Sequence, residues 1–163
     1  NGNVVSDVAY DVLKIAMIDR YSGSAPAIGF IKNFGLKRGA IASSVSHDSH
    51  NLLAVGVDDE SLARAMNLLI ECQGGISVVG TVNGEKIEAV LPLPIAGLMS
   101  GEDGRHVAKE YSRIDALAKE LGSKLGAPYM TLSFMALLVI PSLKLGPQGL
   151  FDVNQFKPVS MWE

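Results

Sequence analysis

The sequence predicts a single α+β domain, in which a mixed or mostly antiparallel sheet is covered by helices. Three observations carry that prediction. Short runs of β-branched and aliphatic residues crowd positions 12–57 and recur over 75–93. Two later stretches repeat apolar residues at steps of three and four, the period of a helix with one buried face. Asn83-Gly84, inside the second apolar block, has the positive-φ preference of a tight type I′ turn, which joins antiparallel neighbours.

Along the chain, "VLKIAMID" (12–19) reads as the first strand and "IGFIKNF" (28–34), after the turn-rich "RYSGSAPA", as the second. "GLKRG" supplies a turn with a glycine at each end. "GAIASSVS" (39–46) is a third strand and "LLAVGV" (52–57) a fourth. "DDESLARAMNLLIECQGG" then opens on acidic residues suited to a helix N-terminus and closes on paired glycines that can end one. Leu62, Ala65, Met66 and Leu69 give that helix its apolar face, with Met66 and Leu69 expected against the sheet. "GISVVGTVNGEKIEAVLPL" is the hairpin. A second helix over about 104–125 aligns Val107, Tyr111, Ile114, Ala118, Leu121 and Leu125, so the Tyr111 ring and Ile114 are expected in the core. Lys109, Glu110, Arg113 and Lys119 make its solvated face. The run "MTLSFMALLVI" (130–140) reads as core, and "GLFDVNQFKPVSMWE" as one edge strand limited by Pro158.

Composition narrows the function. The chain has 163 residues, 48% hydrophobic and 19% charged, enough for one packed domain and too apolar for disorder. A formal net charge of −3 and a single adjacent basic pair, Lys37-Arg38, give no footprint for nucleic acid. Cys72 is the only cysteine, so no internal disulfide can form, and it falls on an apolar helix side as a small buried hydrophobe. No basic start followed by a long apolar run marks a signal peptide, and 130–140 is too short to span a bilayer. A cytoplasmic protein without membrane contact is expected.

No phosphate-binding loop, dinucleotide fingerprint, G-x-S-x-G elbow or paired-cysteine zinc motif occurs. The chemistry-bearing stretch is "HDSHN", which joins the third and fourth strands. It puts His47, Asp48, His50 and Asn51 on one polar loop between apolar strands, where rigid scaffolds hold functional groups. His47, His50 and Asp48 together could ligate a metal. Asp48 could instead orient a histidine, and an imidazole can move a proton near neutral pH. The same residue types also hydrogen-bond well in a plain turn. His106, at a helix start, is expected to face solvent.

Residues 29–56, "GFIKNFGLKRGAIASSVSHDSHNLLAVG", with "LPLPIAGLMS" (91–100), "PYMTLSFMALLVIPSLKL" (128–145) and "GLFDV" (149–153), resemble the C-terminal domain of bacterial adenine deaminases. The likeness covers nearly all of residues 1–163 in order. That resemblance implies an amidohydrolase-superfamily enzyme that converts adenine and water to hypoxanthine and ammonia in purine salvage. It implies that a divalent metal, manganese or iron, is held by an upstream barrel of the same polypeptide. A (β/α)8 barrel needs about 200 residues or more, so this chain is expected to be a fragment of a larger enzyme that begins just before the C-terminal domain. None of the barrel's ligands can be carried onto these positions, and the fragment alone is expected to be inactive.

Two roles for the domain follow as expectations. In one, "HDSHN" packs against the barrel mouth and supplies part of the substrate pocket or a proton relay. In the other, the domain is a structural module that covers the barrel flank or builds a homo-oligomer through its apolar segments. An independent small-molecule or metal-binding domain is the remaining alternative.

Overall fold

The computed structural model describes residues 4–162. Six strands form the main sheet: β1 (Val12–Ile18), β2 (Ala27–Lys32), β3 (Ala40–Ser43), β4 (Leu52–Gly56), β5 (Gly75–Val82) and β6 (Glu85–Pro92). Their spatial order is β2-β1-β4-β3-β5-β6, and every neighbouring pair is antiparallel. The expected α+β architecture is therefore present, with the sheet antiparallel throughout. Asn83 (φ 51°) and Gly84 (φ 85°) turn the β5–β6 hairpin in the left-handed region that asparagine and glycine tolerate.

Both faces of this sheet are covered, so the central strands alternate large with small residues rather than apolar with polar. Leu13, Ile15, Met17, Ile41, Leu53 and Val55 point to one face. Ala16, Ala40, Ala42 and Ala54 point to the other, under helix α1 (Asp59–Glu71). Small side chains let α1 sit close, and its Leu62, Ala65, Met66 and Leu69 are buried there. The fit is tight: a Cβ at Gly56 would lie 2.7 Å from Ala40 Cβ and 3.0 Å from Leu62 Cγ. Asp58 caps α1 by accepting from the Ser61 N–H at 2.7 Å, and Asp59 and Glu60 complement the helix dipole.

The large-residue face carries helix α2 (Gly104–Glu120) and helix α3 (Pro128–Phe134). Ile114, Ala118 and Leu121 are fully buried on it, while Lys109, Arg113 and Lys119 are exposed. Tyr111 departs from expectation. Its side chain is 37% exposed, with the ring centroid 6.3 Å from that of Tyr129, because this part of α2 stands away from the sheet over a cavity.

The run 130–140 is only partly core. It overlaps α3, an unforeseen helix of seven residues that begins at Pro128 and is too short for a clear apolar period. Leu132, Ser133 and Ala136 are buried, but Met130, Val139 and Ile140 are exposed. The C-terminal region also exceeds expectation. Strands β7 (Leu143–Gly146), β8 (Gly149–Asp152) and β9 (Lys157–Pro158) form a separate three-stranded antiparallel sheet. It packs on β2, where Gly29 leaves room for Leu150 and Leu145. Pro158 sits in the short outer strand, where its missing N–H costs little.

Candidate functional site

The β3–β4 connection is a polar turn built from its base upward. Ser44 Oγ donates to the Gly97 carbonyl at 2.6 Å and accepts from the Gly75 N–H at 2.8 Å, fastening the turn to the start of β5 and to the 94–99 loop. The Ser46 hydroxyl donates to the Asn51 carbonyl at 2.6 Å, and the His50 N–H donates to the Ser46 carbonyl at 2.8 Å. His50 itself adopts φ 52° to close this turn.

Asn51 is buried, at 1% exposure, and works on two neighbours. Its Oδ1 accepts from the Arg20 N–H at 3.1 Å, and its Nδ2 donates to Ser49 Oγ at 3.1 Å. Arg20 closes the other side. Its Nη1 donates to the carbonyls of His50 and Ala96, each at 3.0 Å. That approach requires glycine at 97, where φ is +76° and a Cβ would fall 2.6 Å from Arg20 Nη1. On the opposite flank, the His47 N–H donates to the Ser133 carbonyl of α3 at 3.2 Å. The turn is thus clamped between the 94–99 loop and α3, at one end of the main sheet.

The side chains divide by exposure. Asp48 and Ser49 stand in solvent at the tip, and His47 and His50 are half-buried beneath them. The two imidazole centroids are 6.2 Å apart in an edge-on arrangement, and His47 packs 5.1 Å from the Phe134 ring. His50 Nδ1 is buried and has no hydrogen-bond partner among the described residues. Among those residues, no group of three His, Cys, Asp or Glu side chains converges as a metal shell. The donor set here therefore does not fit a divalent metal held by this chain alone. His106 is exposed at the start of α2, with its N–H donating to the capping Asp103.

His47 also lines a cavity of about 290 Å³ between the sheet, α2 and α3. Its walls are apolar, from Val45, Ile76, Leu91, Leu93 and Val107, with Met130 and Tyr111 at the rim. Burial pushes the Tyr111 hydroxyl above its ordinary pKa, and nearby Asp115 adds to the effect. Tyr129 is deeper. Burial holds its hydroxyl well above the ordinary range, in the neutral form that donates to the Ser77 carbonyl at 2.9 Å.

Outside the site, Cys72 is half-buried, and burial raises its thiol pKa, as befits an inert cysteine.

Sequence reasoning isolated His47, Asp48, His50 and Asn51, which the fold keeps on one turn. It missed Arg20, Ser133 and Phe134. Arg20 directly follows the first apolar strand, a placement that marks a strand-end group, whereas nothing in the local pattern distinguishes Phe134.

Residues 1–157 match the family model described as the adenine deaminase C-terminal domain. The chain is 54% identical over 162 residues to an adenine deaminase of Methanosarcina barkeri, covering 99% of the chain and 29% of that protein. It is 55% identical over 152 residues to one from a Sulfurovum species, covering 93% of the chain and 28% of that protein. A Salinibacter ruber adenine deaminase is 52% identical over 159 residues, again with 28% of its length matched. The chain thus spans less than a third of the length of these curated relatives.

Proposed function

This chain belongs to the adenine deaminase C-terminal domain family, and we propose that it serves in a longer enzyme that hydrolyses adenine to hypoxanthine and ammonia. The reading places that enzyme in cytoplasmic purine salvage and in the amidohydrolase superfamily. Its divalent metal, manganese or iron, would activate water in an upstream barrel. No step involving that metal is assigned to the residues of this domain.

Within that enzyme, the domain's part is to support the active site through the 47–51 turn. The observation that carries this reading is His50 Nδ1, buried without a partner in a turn whose neighbouring groups are hydrogen-bonded. An unpaired buried polar atom costs about 1–3 kcal/mol, so a small rearrangement of the turn on docking that gives this nitrogen a partner from the barrel or the substrate would relieve that penalty. Asp48, exposed beside it, can accept a hydrogen bond from the same source or orient an imidazole. His47, His50 and Asp48 together can hold or pass a proton at the edge of the site.

A second reading, an assembly module that also builds a homo-oligomer, draws on a different observation. Ile95, Met99 and Met130 are exposed at 47%, 56% and 53% on either side of the turn.

The test is a comparison of the full-length enzyme with the 163-residue chain. The full-length protein, supplied with manganese or iron, is expected to release ammonia from adenine, and the isolated chain to release none. Turnover by the rigorously purified chain, abolished by substituting its own residues, would overturn the division of labour. Absence of adenine turnover by the full-length enzyme would overturn the substrate.

A further inference from the structure

We propose that the cavity beside His47 is a socket for an apolar side chain from the upstream part of the same polypeptide, the contact that seats this domain on its enzyme. The proposal rests on the reading above that the chain is the C-terminal domain of a longer protein. Relatives matched along nearly the whole chain devote only 28–29% of their length to it, so a large partner in cis is available.

The chemistry of the walls selects the occupant. Most polar groups near the cavity are already engaged. Ser43 Oγ donates to the Val45 carbonyl, Ser133 Oγ to the Met130 carbonyl, and the Tyr129 hydroxyl to the Ser77 carbonyl. Only the His47 ring and the Tyr111 hydroxyl remain without a hydrogen bond among the described residues of the lining. A purine carries nitrogen donors and acceptors around both rings and would leave most of them unpaired here. A leucine or phenylalanine side chain needs no such partners and fits within a space of about 290 Å³ with room for a neighbouring apolar group.

The rim points the same way. Met130 is 53% exposed on a short helix whose Tyr129 and Leu132 are buried. Across the clamped turn, Ile95 and Met99 stand exposed on the 94–99 loop. The socket and these residues therefore flank the turn at one end of the sheet, a core-and-rim arrangement suited to an anchor residue and its surround. Because His47 is part of the socket wall, an occupant touches its imidazole and helps set its orientation. Docking and the proposed support of the active site are thereby coupled through one side chain.

The test uses the full-length enzyme with the photo-crosslinking residue p-benzoylphenylalanine in place of Met130, and a control with it in place of Arg113 on the exposed face of α2. The expected result is a crosslink within one polypeptide, mapped by mass spectrometry to a residue upstream of the matched domain. Its yield should exceed the control by about tenfold or more. A dimer-sized product, a crosslink confined to this domain, or a yield equal to the control would overturn the proposal. Should replacement at 130 disturb folding, the same residue in place of Tyr111 preserves an aromatic ring at the rim and reads out the same contact. The outcomes separate from those of the functional reading: a parent that acts on another substrate leaves the crosslink intact, whereas an active adenine deaminase without the crosslink removes the socket alone.

Discussion

Asn51 and Asp48 lie three positions apart on the same turn and should behave oppositely. Asn51 is buried and accepts from the Arg20 N–H, so Asn51→Ala strands a backbone donor and should cost about 1–3 kcal/mol by urea unfolding. Asp48 is exposed, so Asp48→Ala should stay within about 0.5 kcal/mol. Equal losses would show that the turn is not organised around the amide. Cys72 offers a separate check. With its thiol pKa raised by burial, it should alkylate more slowly at neutral pH in the folded protein than in urea, and equal rates would contradict its placement. At this scale the sequence disclosed the local cluster because its members are adjacent. Arg20 and Phe134 come from distant positions, and only the pairing of β1 with β4 and the docking of α3 bring them to the turn.

The helices explain why their faces were readable. On α1 and α2 the apolar period runs for three or more turns, so Leu69 and Ile114 could be placed before any fold was known, and both are fully buried. Leu69→Ala or Ile114→Ala should cost about 2–5 kcal/mol, and a change within about 0.5 kcal/mol would contradict the packing. The small-residue side of the sheet makes a complementary prediction. Ala42→Leu forces extra volume under α1 and should destabilise by about 1–3 kcal/mol. Tyr111 shows the limit of periodicity, which gives a residue's angle around the helix but not whether the sheet reaches it. Helix α3 shows another: seven residues within an apolar run carry no period distinct from a buried strand. The single edge strand expected over 149–163 covers β8 and β9, and β7 lies before it; lengths of two to four residues leave almost no alternation to read.

At the scale of the molecule, a six-stranded antiparallel sheet is closed on one face by α1 and on the other by α2 and α3. The polar turn, the 94–99 loop and the apolar socket gather at one end of that sheet. In the proposed reading, this arrangement presents the turn to the upstream part of the enzyme while hydrogen bonds within the domain hold its shape. Central to the account is that this presentation serves chemistry rather than folding. The most direct measurement takes His47→Ala and His50→Ala in the full-length enzyme and records turnover per folded molecule and melting temperature on the same preparations. The account predicts turnover lowered on the order of tenfold or more, with the melting temperature nearly unchanged. A lowered melting temperature with turnover per folded molecule intact would contradict it and reduce the turn to a corner between two strands.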